Sequence, residues 1–176
     1  KLKIDGKLNF ENISCDKISV DGKCEGGTVS AKNVSIDGKI KVESVKVEGI
    51  FEVEGKAKID EIEADEFILE SRSSSIGEIK CRKLKIFSLG NNKVAQEFIE
   101  KIFDSEISYN EVDTCVMIRK IDAVKVDIAN CEVEEIKCQS AFIRSNCTIE
   151  KLIVSGEYEI AENSKVRKIV KEDVSK

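Results

Sequence analysis

Apolar residues two positions apart recur along the first half of the chain: Leu2/Ile4, Ile18/Val20, Val34/Ile36, Phe51/Val53, Phe67/Leu69 and Leu84/Ile86. The first members of successive pairs lie 16, 16, 17, 16 and 17 residues apart. Alternation at period two marks half-buried strands, because successive side chains of an extended chain point to opposite faces. A second set of pairs falls at Leu8/Phe10, Ile40/Val42 and Ala57/Ile59, and a third at Ile13/Cys15, Val29/Ala31, Val45/Val47, Ile62/Ala64 and Ile79/Cys81. A repeat this short cannot hold two packed helices, but it suits one circuit of three short strands. The pattern therefore predicts an all-β fold, a three-sided parallel β-helix (β-solenoid) of about 16 residues per turn. Lys, Glu, Ser and Asn would lie outside and a narrow apolar column inside.

The corners carry their own signal. Asp5-Gly6-Lys7, Asp21-Gly22-Lys23 and Asp37-Gly38-Lys39 recur at the circuit interval, and Glu54-Gly55-Lys56 follows one residue late. A sharp corner often requires positive φ, which costs a residue bearing a Cβ about 1 kcal/mol or more, so Gly marks it. Stacking would align Asp5, Asp21, Asp37 and Glu54 in an acidic file beside a basic file of Lys7, Lys23, Lys39 and Lys56. At roughly 4.8 Å between coils, like neighbours repel by about 1 kcal/mol in water, offset by the opposite file. Such a corner fixes register, or it binds a cation, an anion or a ligand.

The period breaks after the first solenoid block, residues 1–88. In the insertion, residues 89–106, apolar positions Val94, Ala95, Phe98, Ile99, Ile102 and Phe103 are three and four apart, which predicts an amphipathic helix capped by Asn91 or Asn92. Phe98, Ile102 and Phe103 are its candidate docking residues, as a connector covering apolar surface or as a helix docking on a protein or membrane surface. Alternation resumes at Ile107 with steps of five or six residues, at Ile121/Ala123, Val126/Ile128, Cys131/Val133, Ile136/Cys138, Ala141/Ile143, Cys147/Ile149, Leu152/Val154 and Tyr158/Ile160. Three such steps again make a circuit. The second solenoid block thus spans 107–170, with a polar tail at 171–176. One rod interrupted by the helix and two columns side by side both fit the pattern.

Composition narrows the chemistry. With 41% apolar residues the chain buries a sizeable core, and 36% charged residues coat it. A net charge of −5 with interspersed signs and no basic stripe argues against nucleic acid as a partner. Seven cysteines, none in a CxxC pair, fall mostly at inward positions, where a thiol is a small apolar filler, and imply a reducing cytoplasm. The chain has no His, which removes the commonest general base and the mixed Cys/His zinc sites. Paired acids such as Asp60/Glu61 and Glu134/Glu135 are expected on opposite strand faces. Gly26-Gly27 precedes a strand and not a helix, so it is a weak phosphate loop. The expectation is a non-enzyme with no catalytic residues, no metal and no cofactor. No signal peptide or long apolar run is visible, and the first residue is not Met, so a membrane-binding tail beyond these residues remains open.

One circuit cannot fold alone, because its few inward side chains do not outweigh the backbone entropy of its residues. Stability comes from stacking, and the terminal circuits present apolar side chains and unpaired edges. Leu2, Ile4 and Phe10 at one end, and Val166 and Ile169 at the other, are the candidate contacts for end-to-end self-association.

A short β-solenoid with repeats such as Ile18-Ser-Val20-Asp21-Gly22-Lys23 and Val34-Ser-Ile36-Asp37-Gly38-Lys39 resembles the bactofilins, bacterial polymer-forming cytoskeletal proteins. The segment from Ile121 through Glu134-Glu135-Ile136, Ile149-Glu-Lys-Leu152 and Ser164-Lys165-Val166 is similar to the distal half of the longer Gram-positive members. The resemblance implies a right-handed helix and nucleotide-independent homopolymers that scaffold cell-envelope or morphogenetic proteins, in the cytoplasm or at the inner face of the membrane. The rival expectation is a monomeric or dimeric protein-binding module resembling the solenoid C-terminal domain of the division inhibitor MinC.

Overall fold

A computed structural model describes residues 1–71, 73–87 and 115–172. These residues form an all-β solenoid of parallel strands, and no helix occurs among them. The first coils hydrogen-bond without interruption at their corners and make one extended run, β1 (Leu2–Glu70). It is followed by β2 (Ser74–Phe87), β3 (Val116–Ile128), β4 (Cys131–Ile143), β5 (Thr148–Val154), β6 (Tyr158–Ile160) and β7 (Lys165–Lys171). All lie in one sheet, ordered β1-β2-β3-β4-β5-β7 with β6 on β4, and every pairing is parallel.

Between Ile18 and Ile149 the expected inward pairs are buried, apart from half-buried Cys81, each with one exposed or half-exposed residue between, as in Val34-Ser-Ile36, Phe51-Glu-Val53 and Ile136-Lys-Cys138, while those from Leu2 to Cys15 and Tyr158/Ile160 are only partly covered. Equivalent residues stack coil upon coil. Phe67, Leu84, Val126, Ala141 and Tyr158 form one file, and Ile62, Ile79, Ile121, Ile136, Leu152 and Ile169 another. The Phe51 and Phe67 rings stack at 4.9 Å, which extends the first file downward. Stacking like on like lets branched and aromatic side chains fill a column of constant width without voids.

The glycine corners follow from the same stacking. Gly6, Gly22, Gly38 and Gly55 have φ of 118°, 126°, 125° and 128°. A Cβ on Gly22, Gly38 or Gly55 would run into the carbonyl oxygen of the glycine one coil below, far inside van der Waals contact. These positions need Gly both for conformation and for space.

The two halves of the chain are one sheet. β2 pairs directly with β3, with Ile79 opposite Ile121 and Leu84 opposite Val126, so the column resumes in register across the intervening segment. Between β3 and β4 the same corner is turned by Ala129 and Asn130 alone. The expected helix, with Phe98, Ile102 and Phe103, and the first residues of the 107–170 block lie outside the described residues.

Inward pairs that escaped the sequence pattern include Cys24/Gly26, Ser74/Ile76, Val116/Ile118 and the Ser164/Val166 position. Ser74 is buried yet polar, so alternation did not reveal it. Its Oγ accepts the Ala57 N–H at 2.8 Å and bonds Ser71 Oγ at 2.8 Å, which removes the penalty of burial.

The expectation that adjacent acids face opposite ways also fails at corners. Asp60 and Glu61 are both exposed, because buried Ile59 and Ile62 are three residues apart and the alternation skips a step there.

Candidate functional site

The terminal coils differ from all others. Leu2, Ile4, Leu8, Phe10, Ile13 and Cys15 of the first coil are half-buried, whereas Ile18 and Val20, the next pair, are buried. Ile4, Phe10 and Val166 pack on the core from one side only. At the other end Ile169 is 40% exposed, although Leu152 directly beneath it is fully buried. Two further inward register positions there hold Tyr158 and Lys171, and the Lys171 ammonium lies 5.5 Å over the Tyr158 ring. That cation–π contact partly covers the last coil with a charge. A Lys137–Glu172 ion pair at 3.1 Å adds a clasp, and Ile153, between Lys137 and Val170 in its file, is buried although it points outward. The two ends therefore carry different chemistry, one apolar and the other mixed.

At the Asp-Gly-Lys corners two lysines turn to an acid outside the motif. Instead of pairing with the acidic file, Lys23 and Lys7 reach Glu25, at 2.8 Å and 3.8 Å. The Lys23 ammonium is the main reason that the Glu25 carboxyl lies below its ordinary range. On another corner the register forms a file of charges. Asp16 pairs with Lys32 at 2.9 Å, and Asp65 receives both Arg82 nitrogens at 2.7 Å. Lys32 lowers the Asp16 pKa and Arg82 lowers that of Asp65, each mainly by hydrogen bonding. Such exposed pairs steer register more than they stabilise.

A second corner is polar and closely packed. Asn130 and Asn146 adopt positive φ, 52° and 59°, which Asn tolerates better than other side chains. Their amides form a ladder, Asn163 to Asn146 at 2.9 Å and Asn146 to Asn130 at 3.0 Å. Asn146 thus bonds on both sides. Directly inside this corner, Cys131 and Cys147 stand opposite one another on adjacent coils, because Glu132 pairs with Thr148. Both are buried. Cys24, Cys81 and Cys138 have pKa values pushed up to about 11, 12 and 11, first of all by burial, as befits apolar fillers.

An open recess of about 470 Å³ lies beside Phe142, Ile143, Arg144, Ser145, Glu159 and Ala161. Its one cation, Arg144, is held in a two-pronged pair by Asp127 and is not available to a ligand without breaking that pair. Among the described residues no group of three or more His, Cys, Asp or Glu is placed to hold a metal ion. No helix among them is long and apolar enough to cross a membrane. No protein-family model, curated protein or solved structure matches the chain.

Proposed function

We propose that the chain is a non-enzymatic, bactofilin-like scaffold that self-assembles end to end without nucleotide, its coils forming a right-handed, three-sided column. The observation that carries this reading is the incomplete burial of inward side chains on the terminal coils, Ile169 over buried Leu152 above all. A second copy stacked there would cover the same apolar surface that each internal coil covers for its neighbour, and would pair the open strand edge. Backbone pairing and apolar contact need neither a nucleotide nor an ion. The lateral faces carry exposed charge pairs such as Asp65–Arg82 and Arg144–Asp127 beside scattered exposed apolar residues such as Met117 and Phe142, whereas the ends combine apolar surface with open strand edges. In this reading the scaffold works in the cytoplasm or at the inner face of the membrane, and its clients are cell-envelope or morphogenetic proteins.

Electron microscopy of the purified protein without nucleotide tests this directly. Filaments one solenoid wide are expected. A concentration-independent monomer in light scattering, seen also for the full gene product, overturns self-assembly and favours a module that docks a partner through one flat side.

A further inference from the structure

The first and last described coils share one plan. In the first, the inward pairs Leu2/Ile4, Leu8/Phe10 and Ile13/Cys15 are separated by Asp5-Gly6-Lys7 and then by Glu11-Asn12. In the last, the inward positions Tyr158/Ile160, Ser164/Val166 and Ile169/Lys171 are separated by Ala161-Glu162-Asn163 and then by Arg167-Lys168. Corners of equal length let one coil lie on the other with every inward position in its file. β6 and β7 pair on one side only, with β4 and β5, so the outer edge of the last coil is open among the described residues.

We propose that copies of the chain join head to tail, the first coil of one on the last coil of the next, into a polar filament through which the parallel ladder and the inward files run on unbroken. This rests on the self-assembly reading above and adds its direction and register. Every strand pairing within the fold is parallel. A head-to-tail joint continues that pattern, whereas contact between two like ends turns one copy over and makes the strands antiparallel. In the head-to-tail register Phe10 lies on Val166 and Ile13 on Ile169, so the exposed apolar surface of each end covers that of the other. Two different surfaces meet at every joint, and such a contact, advancing along the axis without closing, grows as an open filament.

The charges at the rim favour this orientation. Ion pairs already join neighbouring coils within the chain, as in Lys46–Glu63 at 3.1 Å and Glu150–Arg167 at 3.0 Å. Carried across the joint, the same register sets exposed Lys1 over exposed Glu157, Lys3 over Glu159 and Glu11 over Arg167. At about 4.8 Å between coils such pairs are within reach. The asparagine ladder has a direction as well. Asn163 donates to Asn146 and Asn146 to Asn130, so the Asn163 Oδ1 is the acceptor at which the ladder ends. The residue laid over it is Lys7, held only loosely by Glu25 at 3.8 Å, and its ammonium supplies a donor.

Two features oppose the joint: Asp16 falls over Glu172, and Lys171 occupies the inward register position under Cys15. Asp16 is already paired with Lys32 and Glu172 with Lys137, which softens the first. Lys171 is exposed, and its stem is long enough to pack inward while the ammonium stays at the rim. The apolar files and the backbone ladder hold the joint, and the rim charges select which end meets which.

Charge reversal in the full gene product tests the joint. A head variant, Lys3→Glu with Glu11→Lys, and a tail variant, Glu159→Lys with Arg167→Glu, each set like charges against one another. Either alone should raise the concentration at which light scattering appears by roughly tenfold, with the β circular dichroism spectrum kept. Mixed in equal amounts, the two should assemble as the unmodified protein does, because reversed tail then meets reversed head and native tail meets native head. The chain with all four changes should also assemble alone. In assemblies of unmodified protein, a zero-length carbodiimide should join Lys3 of one copy to Glu159 of another, recognised by mixing isotope-labelled with unlabelled chains. That cross-link decides the matter if a variant loses its β spectrum. Unmodified protein that stays monomeric overturns the self-assembly reading and this proposal with it. Assemblies unaffected by either variant, a mixture that does not recover, or cross-links that join first coil to first coil overturn the head-to-tail joint alone.

Discussion

At Gly38 the backbone and the neighbouring coil impose separate demands, and two substitutions separate them. Gly6 and Gly38 share the same positive φ, but a Cβ on Gly6 meets open space while one on Gly38 meets the Gly22 carbonyl. Gly6→Ala should therefore lower stability by about 1–2 kcal/mol, the conformational cost alone. Gly38→Ala should cost about 2–4 kcal/mol, because a coil must also shift. Equal losses in urea titrations would mean that contact between coils contributes nothing at this corner. Inside the column the demand is for apolarity. Ile36 is buried between neighbouring coils, so Ile36→Asp leaves an unpaired charge there and should prevent folding. Soluble protein with an unchanged melting temperature would show that this residue does not face the core.

At the scale of elements, the corner between β2 and β3 is the informative one. The register of Leu84 on Val126 is what a short corner would produce, and the next corner does it with Ala129 and Asn130. Replacing 88–115 by Ala-Asn should leave the melting temperature within a few degrees and the urea m-value reduced only by the surface removed. Insoluble or cold-labile protein would show that the removed segment stabilises the solenoid. The charge file sets a pH dependence. The Asp16 and Asp65 carboxyls have folded pKa values depressed by Lys32 and Arg82. Their contribution is fully present above the ordinary carboxyl pKa and is lost as pH falls through the lower folded values, that is, below about pH 4. Asp65→Asn should flatten part of that acid limb in a thermal-melt series from pH 5 to pH 2, and leave neutral stability little changed.

For the whole molecule the decisive question is what covers the ends. Ile4→Arg and Ile169→Arg place a charge on a coil with a neighbour on one side only. Each should dissolve assemblies, seen as a fall in scattering to that of the monomer, while circular dichroism keeps the β spectrum. Because the contact is backbone pairing and apolar burial, added salt should not disperse the unmodified protein. Assemblies that persist in both variants would place the contact on the lateral faces instead.

Much of this molecule was legible as sequence because a solenoid repeats one local rule. Strict alternation chose the buried side of Val34-Ser-Ile36, the recurrence of Asp-Gly-Lys located the positive-φ corners, and the constant interval brought Phe51 over Phe67. What escaped were features that exist only once coils are stacked. Ser74 could not be read as inward, since its burial depends on an Ala57 N–H supplied by another coil. Lys7 and Lys23 chose Glu25 over the acidic file because ion pairing depends on reach across coils, which spacing does not encode. The juxtaposition of Cys131 with Cys147, 16 residues away, and the unbroken register from Leu84 to Val126 were likewise decided by the tertiary ladder. Periodicity fixes which face of each strand is apolar, a property of near neighbours in the chain. Only the stacked structure fixes which groups from distant residues meet.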